Sequence, residues 1–211
     1  MNLPVVVPRW LRILYPNRIW SLPVAEKILY LSFDDGPHPT ITPKVLALLK
    51  QYHAKATFFC LGKNVEKYPD VFLAIQAAGH SIGNHGFHHL NGWKSNNQIY
   101  VDDVQKAAGL IESNLFRPPY GRLKFSQASA LREMGYALVM WTVLSADYDQ
   151  HLTKEQSANR VIKNIHPGSV VLFHDSEKAE GRMMYALNEL LKDATKRGYR
   201  FEAIENKKGS A

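Results

Sequence analysis

The sequence lacks several things, and each absence removes a class of protein. Of its 211 residues one is a cysteine, Cys60, so an internal disulfide framework is excluded. Cys60 sits in an apolar run and is read as a small core residue. No apolar stretch approaches the roughly 20 residues a membrane-spanning helix needs. Internal repeats, low-complexity tracts and linkers are missing, which points to one domain. Acidic residues are outnumbered, 19 Asp and Glu against 26 Lys and Arg, for a net charge of +7. That excess fits an anionic partner such as a polyanionic glycan or a membrane surface. The basic residues are dispersed apart from Lys192, Lys196, Arg197 and Arg200 and the tail Lys207-Lys208. With no nucleic-acid-binding motif, nucleic acid is not an expected partner. Residues 1–22 lack a continuous apolar core followed by a small-residue cleavage site. No secretory signal is read, and a cytoplasmic or peripheral-membrane location is expected.

What is present reads as alternating strands and helices. Strands are expected at 28–33, 56–60, 81–83, 115–117, 137–141, 169–173 and 200–203. Helices are expected at 42–52, 69–78, 98–113, 126–134, 154–165 and 182–197, with Pro43 and Pro69 suited to first turns and Gly79 to a stop. Such alternation predicts a parallel sheet with covering helices. The fold class is α/β, and the strand count predicts a distorted (β/α)7 barrel, one unit short of the eight-stranded form. An open doubly wound sheet is the alternative. Residues 1–25 form a short N-terminal extension, 26–205 the domain and 206–211 a basic tail. The extension is read as packing on the domain, with peripheral membrane contact through Trp10, Leu11, Ile13 and Leu14 as the alternative. The protein is expected to be a monomer.

Parallel sheets place reactive groups at the C-terminal ends of strands, and the chemically unusual residues fall there. Asp34-Asp35 closes the first strand ahead of Gly36-Pro37. Two crowded carboxylates repel unless a cation or strong donor relieves them. Asn84-His85-Gly86-Phe87-His88-His89 follows the third strand. A spacing of three or four places two imidazoles on one side of a helical turn, so His85 with His88 or His85 with His89 can chelate. Asp34 or Asp35 would complete the two-histidine, one-carboxylate set of a catalytic zinc. Arg117-Pro118-Pro119-Tyr120-Gly121 is rigid on one side and permissive on the other, and Arg117 can hold a carboxylate ionised. His174 ends an apolar strand with Asp175 beside it and suits a proton donor.

These motifs, in this order from about residue 28 to 203, resemble the polysaccharide deacetylase family, also called the NodB-homology or carbohydrate esterase family 4 domain. The resemblance implies that Asp34 in Ser32-Phe33-Asp34-Asp35-Gly36 is the general base. It implies that Asp35, His85 and His89 are the metal ligands, for a divalent metal, zinc first and cobalt or nickel as alternatives. It further implies that Arg117 orients Asp34, that the Tyr120 N–H faces the oxyanion, and that His174 is the general acid with Leu172 in the acetyl pocket. Tyr148 and Trp141 are expected beside the substrate. Two positions depart from the family pattern. Gly86 replaces a Ser or Thr whose hydroxyl braces the histidine loop. Leu144 replaces the first aspartate of the fourth motif, which leaves Asp147 as the acidic support for His174. The implied activity is hydrolytic removal of N-acetyl groups from an amino-sugar glycan of chitooligosaccharide or peptidoglycan type. Deformylation or deacylation of a lipid-linked sugar, O-acetyl esterase activity, and a carbohydrate-binding domain that has lost catalysis are the alternatives.

Overall fold

Strand β1 (Ile28–Asp34) is buried along its whole length, which explains why its sequence is apolar without alternation. In the computed structural model, which describes residues 5–205, it lies near the middle of a parallel sheet. On one side follow β2 (Ala56–Cys60), β3 (Ser81–Asn84), β4 (Leu115–Phe116) and β5 (Ala137–Leu138). On the other lie β7 (Val170–His174) and, beyond it, β6 (Val143–Leu144). This seven-strand path is open between β5 and β6, a distorted barrel with a split side. A further strand, β8 (Arg200–Phe201), pairs only with Ile28 and Leu29 at the start of β1.

Alternation along β1 divides the interior in two. Leu29, Leu31 and Phe33 join the main core beneath the helices, whereas Tyr30 packs inside the barrel with Phe59, Leu115, Val139 and Val170. Ser32 and Asp34 share the inward face and reach Arg117. The covering helices are α2 (Ile41–Gln51), α3 (Gly62–Lys67), α4 (Pro69–Ala77), α5 (Asn97–Ala108), α6 (Phe125–Glu133), α7 (Lys154–Ile162) and α8 (Glu180–Lys196). Pro69 starts α4, and Thr153 with Gln156 forms a capping box on α7. Met183, Ala186, Leu187, Leu190, Leu191 and Ala194 give α8 a buried stripe at helical spacing.

The structure departs from the sequence reading in several places. The strand expected at 137–141 is the two-residue β5, and an unexpected two-residue strand, β6, follows it at 143–144, both too short for periodicity to announce. The strand expected at 200–203 is not on the seven-strand path. The fifth helix stops at Ala108, capped by Gly109, instead of running to 113. Helix α3 was not anticipated.

The extension seals the split. Ile19 N–H donates to Leu138 O at 2.8 Å, and Met140 N–H donates to Ile19 O at 2.7 Å. Across the gap, Val7 N–H donates to Thr142 O at 3.1 Å and Leu144 N–H to Val5 O at 2.9 Å. Buried Val7 and Trp20 pack on Met140, and a six-residue helix, α1 (Arg9–Leu14), lies between them in sequence. Leu22 runs so close to Gly168 that a Cβ there would lie 2.0 Å from its carbonyl oxygen. The extension therefore packs on the domain through Val7, Leu11 and Trp20, while Trp10, Ile13 and Leu14 of α1 stay exposed. The basic tail expected at 206–211 lies outside the described residues. Among those described, no helix is long and apolar enough to cross a membrane.

Candidate active site

Arg117 is fully buried inside the barrel, and its guanidinium donors are used. Nη1 donates to Asp34 Oδ1 at 2.7 Å and to Ser32 Oγ at 2.8 Å. Nε and Nη2 donate to the carbonyls of Val139 and Met140 at 3.2 and 2.9 Å. Those carbonyls belong to the stretch between β5 and β6, so one side chain satisfies the broken edge from inside and fixes Asp34. The Arg117 guanidinium also lies over the Phe59 ring, 4.1 Å from its centroid. Burial lowers the Arg117 pKa and the adjacent Asp34 carboxylate opposes that shift. The pairing matters because an isolated buried charge is costly.

Asp35, at a positive φ of 82°, leaves the strand in a different direction. Its Oδ1 is buried and accepts no hydrogen bond. Two imidazole nitrogens face it, His89 Nε2 at 3.3 Å and His85 Nε2 at 3.8 Å. One donor atom from each of the three residues falls within 4.8 Å of the others. His85 Nδ1 lies 2.7 Å from the carbonyl oxygen of Arg117. That oxygen only accepts, so Nδ1 carries a proton, and Nε2 is the nitrogen turned towards Asp35. Burial and neighbouring His85 pull His89 down to about 4, so its ring is neutral. Burial would raise Asp35, but His174, His85, His89 and Lys63 hold it below the usual carboxylate value. An orphaned buried carboxylate oxygen facing two imidazole nitrogens is a donor set that fits a divalent cation.

The histidines do not sit on a helical turn, contrary to the sequence reading. Gly86 and His89 have φ of 78° and 63°, which no right-handed helix permits. His85 and His89 meet because the loop folds back, with ring centroids 5.1 Å apart. His88, the other candidate, is turned away. Its Nδ1 lies 2.6 Å from Asp103 Oδ1, and its side chain is half exposed. Asp103, on α5, supplies the brace that Gly86 lacks. Its carboxylate accepts from Phe87 N–H at 2.8 Å and His88 N–H at 3.2 Å. The Asn84 side-chain oxygen takes Gly86 N–H at 2.7 Å. A Cβ at position 86 would lie 2.9 Å from Asp103 Oδ2, so the glycine and the aspartate belong together. Asp103 escaped the sequence reading because nothing local marks a helix carboxylate as the anchor of a distant loop.

His174 ends β7, with Asp147 behind it. Asp147 accepts from the His174 ring at Nδ1 and from its backbone N–H, both at 2.8 Å. Burial would lower His174, but the Asp147 carboxylate and its hydrogen bond, with Asp35 and Asp34 beyond, push it up to about 9. Asp175, adjacent in sequence, does not support the imidazole. Its carboxylate accepts from Gly36 N–H at 3.0 Å and from the Thr42 hydroxyl, pinning the turn after Asp35. Burial pushes Asp175 up to about 7.

A cleft of about 740 Å3 gathers these groups. Asp34, Asp35, His85, His89, Tyr120, Trp141, Tyr148, Leu172 and His174 all line it, as does Leu144. Of the residues singled out from sequence, Arg117 and Asp147 stand behind it, fully buried. Leu144, Ala146 and Leu172 form a small apolar cluster against Trp141 and Tyr148. Tyr148 meets the His174 ring edge-on at 5.2 Å, and Tyr120, at φ 60°, meets the His89 ring at 4.5 Å. Lys94, Arg122 and Lys178 also border the cleft, and the sequence reading missed all three. Basic residues in loops carry no local signal.

Comparison with known proteins agrees with this geometry. The family profile described as "Polysaccharide deacetylase" matches residues 21–139. A peptidoglycan-N-acetylglucosamine deacetylase of Bacillus cereus is 36% identical over 191 residues, covering 88% of this chain and 90% of the relative. A chitooligosaccharide deacetylase of Azorhizobium caulinodans is 33% identical over 157 residues, covering 71% of this chain and 74% of the relative. The crystal structure of the Bc1960 peptidoglycan N-acetylglucosamine deacetylase in complex with 4-naphthalen-1-yl-N-oxidanyl-benzamide superposes with a TM-score of 0.85. It is 32% identical and covers 92% of this chain and 93% of its own. Motif order, barrel and cleft residues lead to one assignment: the chain belongs to the polysaccharide deacetylase family.

Proposed function

We propose that residues 26–205 form a metal-dependent hydrolase that removes N-acetyl groups from the amino sugars of a glycan and releases acetate. The observation that carries this reading is the buried, unpartnered Asp35 oxygen facing two imidazoles, beside an arginine-held Asp34. Asp35, His85 and His89 would hold the cation, zinc by the preference of that donor set, with cobalt or nickel as substitutes. When bound, such an ion lowers the pKa of water and polarises a carbonyl.

The chain's own groups do the rest. Asp34 takes the proton of the attacking water, and Arg117 aims it through the 2.7 Å hydrogen bond from Nη1 to Oδ1. The Tyr120 N–H donates to the oxyanion that develops as the amide carbonyl becomes tetrahedral. His174, held protonated by Asp147, gives its proton to the departing nitrogen as the C–N bond breaks, because an amine anion is a poor leaving group. Leu172 and Leu144 wall the space for the acetyl methyl, and Trp141 and Tyr148 flank the sugar. The Lys94, Arg122 and Lys178 rim favours a carboxylate-bearing glycan of peptidoglycan type over a neutral chitooligosaccharide.

Acetate release from peptidoglycan fragments and chitooligosaccharides, measured with and without chelator, tests the proposal. Chelation should abolish release. Asp34→Ala and His174→Ala should each lower turnover by about 10²–10⁴-fold while metal stays bound. Asp35→Ala should lose metal and turnover together. Release that ignores the chelator, or no release from any acetylated glycan, overturns it.

A further inference from the structure

Helix α1 is amphipathic in the opposite sense to a normal surface helix. Trp10, Ile13 and Leu14 recur at i, i+3 and i+4, the stripe that ordinarily faces the core. Here they are 62%, 73% and 60% exposed. Leu11 takes the inward position instead, against Val7, Trp20 and Met140. The stripe continues onto α6. Leu14 shares a groove of about 460 Å3 with Tyr15, Phe125, Ala128 and Leu138. Phe125 is 73% exposed and stacks on Tyr15 with centroids 5.4 Å apart. Single exposed apolar side chains are ordinary, but contiguous ones mark a docking surface.

The charge around this patch has one dominant sign. Residues 1–25 contain Arg9, Arg12 and Arg18 and no acidic residue. Arg132, from α6, borders the same groove. Glu133, the acid of α6, accepts a hydrogen bond from Ser129. The patch is also coupled to the cleft. Trp141 packs on the Val7, Trp20 and Met140 cluster that seats α1, and the same ring lines the active-site cleft.

We infer that α1 and Phe125 form a docking surface for an anionic lipid bilayer. Trp10, Ile13, Leu14 and Phe125 enter the boundary between headgroups and acyl chains, and Arg9 and Arg132, the exposed arginines, meet lipid phosphates. Charge selects this occupant over a second copy of the chain. A symmetric dimer on this patch would bring the arginines of two copies together, whereas an anionic bilayer neutralises them. The inference does not depend on the deacetylase reading.

Co-sedimentation of the full chain with lipid vesicles tests it. Vesicles of phosphatidylcholine with about 30% phosphatidylglycerol should bind the protein at least tenfold more tightly than phosphatidylcholine alone, and roughly 0.5 M salt should remove most of the difference. The combined variant Trp10→Ser, Ile13→Ser, Leu14→Ser should lose about tenfold or more in partitioning, with its melting temperature unchanged. Should that variant loosen the seam, Phe125→Ser and the pair Arg9→Gln, Arg132→Gln each supply a second measurement and should each weaken binding severalfold. Absent vesicle binding, or equal binding by all variants, overturns the inference. So does a concentration-dependent dimer in sedimentation velocity that the triple variant abolishes, which would assign the patch to self-association. Acetate release is read separately, so loss of one result does not imply loss of the other.

Discussion

Asp34 and Asp35 share a peptide bond and one neighbour, His85 Nε2 at 3.7 and 3.8 Å, but differ in what holds them. Asp34 points into the barrel and meets Arg117 at 2.7 Å, on a side chain whose other donors are also used. Asp35 turns the other way, and its buried Oδ1 has only imidazole nitrogens for company. The same contrast extends to the two flanks of the cleft. On the acid–base flank, His174 and Asp147 satisfy each other through two hydrogen bonds. On the other flank, one potential ligand atom each of Asp35, His85 and His89 lies within 4.8 Å of the others. One flank is satisfied by hydrogen bonds within the protein, and the other presents an unpartnered carboxylate oxygen to two imidazole nitrogens. On the proposed assignment, stability and metal binding depend on different residues even though the flanks touch.

The largest effect should come from breaking the complete flank. Arg117→Met strands Asp34 as a buried carboxylate and frees the carbonyls of Val139 and Met140. It should cost about 3–5 kcal/mol of unfolding free energy, read by urea titration in the presence of chelator. Under the same conditions Asp35→Asn should cost far less, because the buried Oδ1 accepts no hydrogen bond for the change to break and because asparagine tolerates a positive φ. Equal losses from the two variants would erase the distinction between the flanks.

The next effect lies in the histidine loop. Asp103→Asn keeps one acceptor but cannot hold Phe87 N–H, His88 N–H and the His88 ring as the carboxylate does. Metal affinity, measured by competition with a chromogenic chelator, should fall about 10–100-fold. Unfolding free energy without metal should change far less. An unaltered metal affinity would mean that the loop holds its shape without α5.

How much of this was legible in the sequence depends on how local the cause is. The buried run of β1, the proline and glycine that bound α4, and the reactive residues at strand ends are written within a few residues of where they act. So were Arg117 with Asp34 and Asp147 with His174, through motif order. The rest depended on contacts between distant segments. β5 and β6 are two residues each and owe part of their pairing to an extension more than a hundred residues away. Asp103 braces a loop from another helix. Asp175 adjoins His174 but faces Gly36 and Thr42, because the residue after a strand end need not share its predecessor's direction. Histidine spacing named two possible pairs, and only the loop's left-handed residues decide between them.

The smallest effect concerns the proton rather than the fold. His174 must carry a proton to give one to the leaving nitrogen, so activity should fall as pH rises through its pKa. Burial lowers that pKa and Asp147 more than reverses the shift, to about 9 against an ordinary 6.5. Asp147→Asn keeps a hydrogen-bond acceptor but removes the charge, while the burial that opposes protonation stays. The alkaline limb of kcat against pH should therefore move to lower pH, by roughly one unit or more. A bound cation lowers the value in both proteins, so the difference between them is the quantity to read. The metal-free protein offers a check that does not involve turnover. A histidine whose folded pKa is raised contributes stability that is full below about 6.5 and is lost as pH climbs to about 9. Melting temperature in chelator should decline across that window in the wild type and stay flatter in Asp147→Asn. A limb that does not move, together with parallel melting curves, would place the proton donor somewhere other than His174.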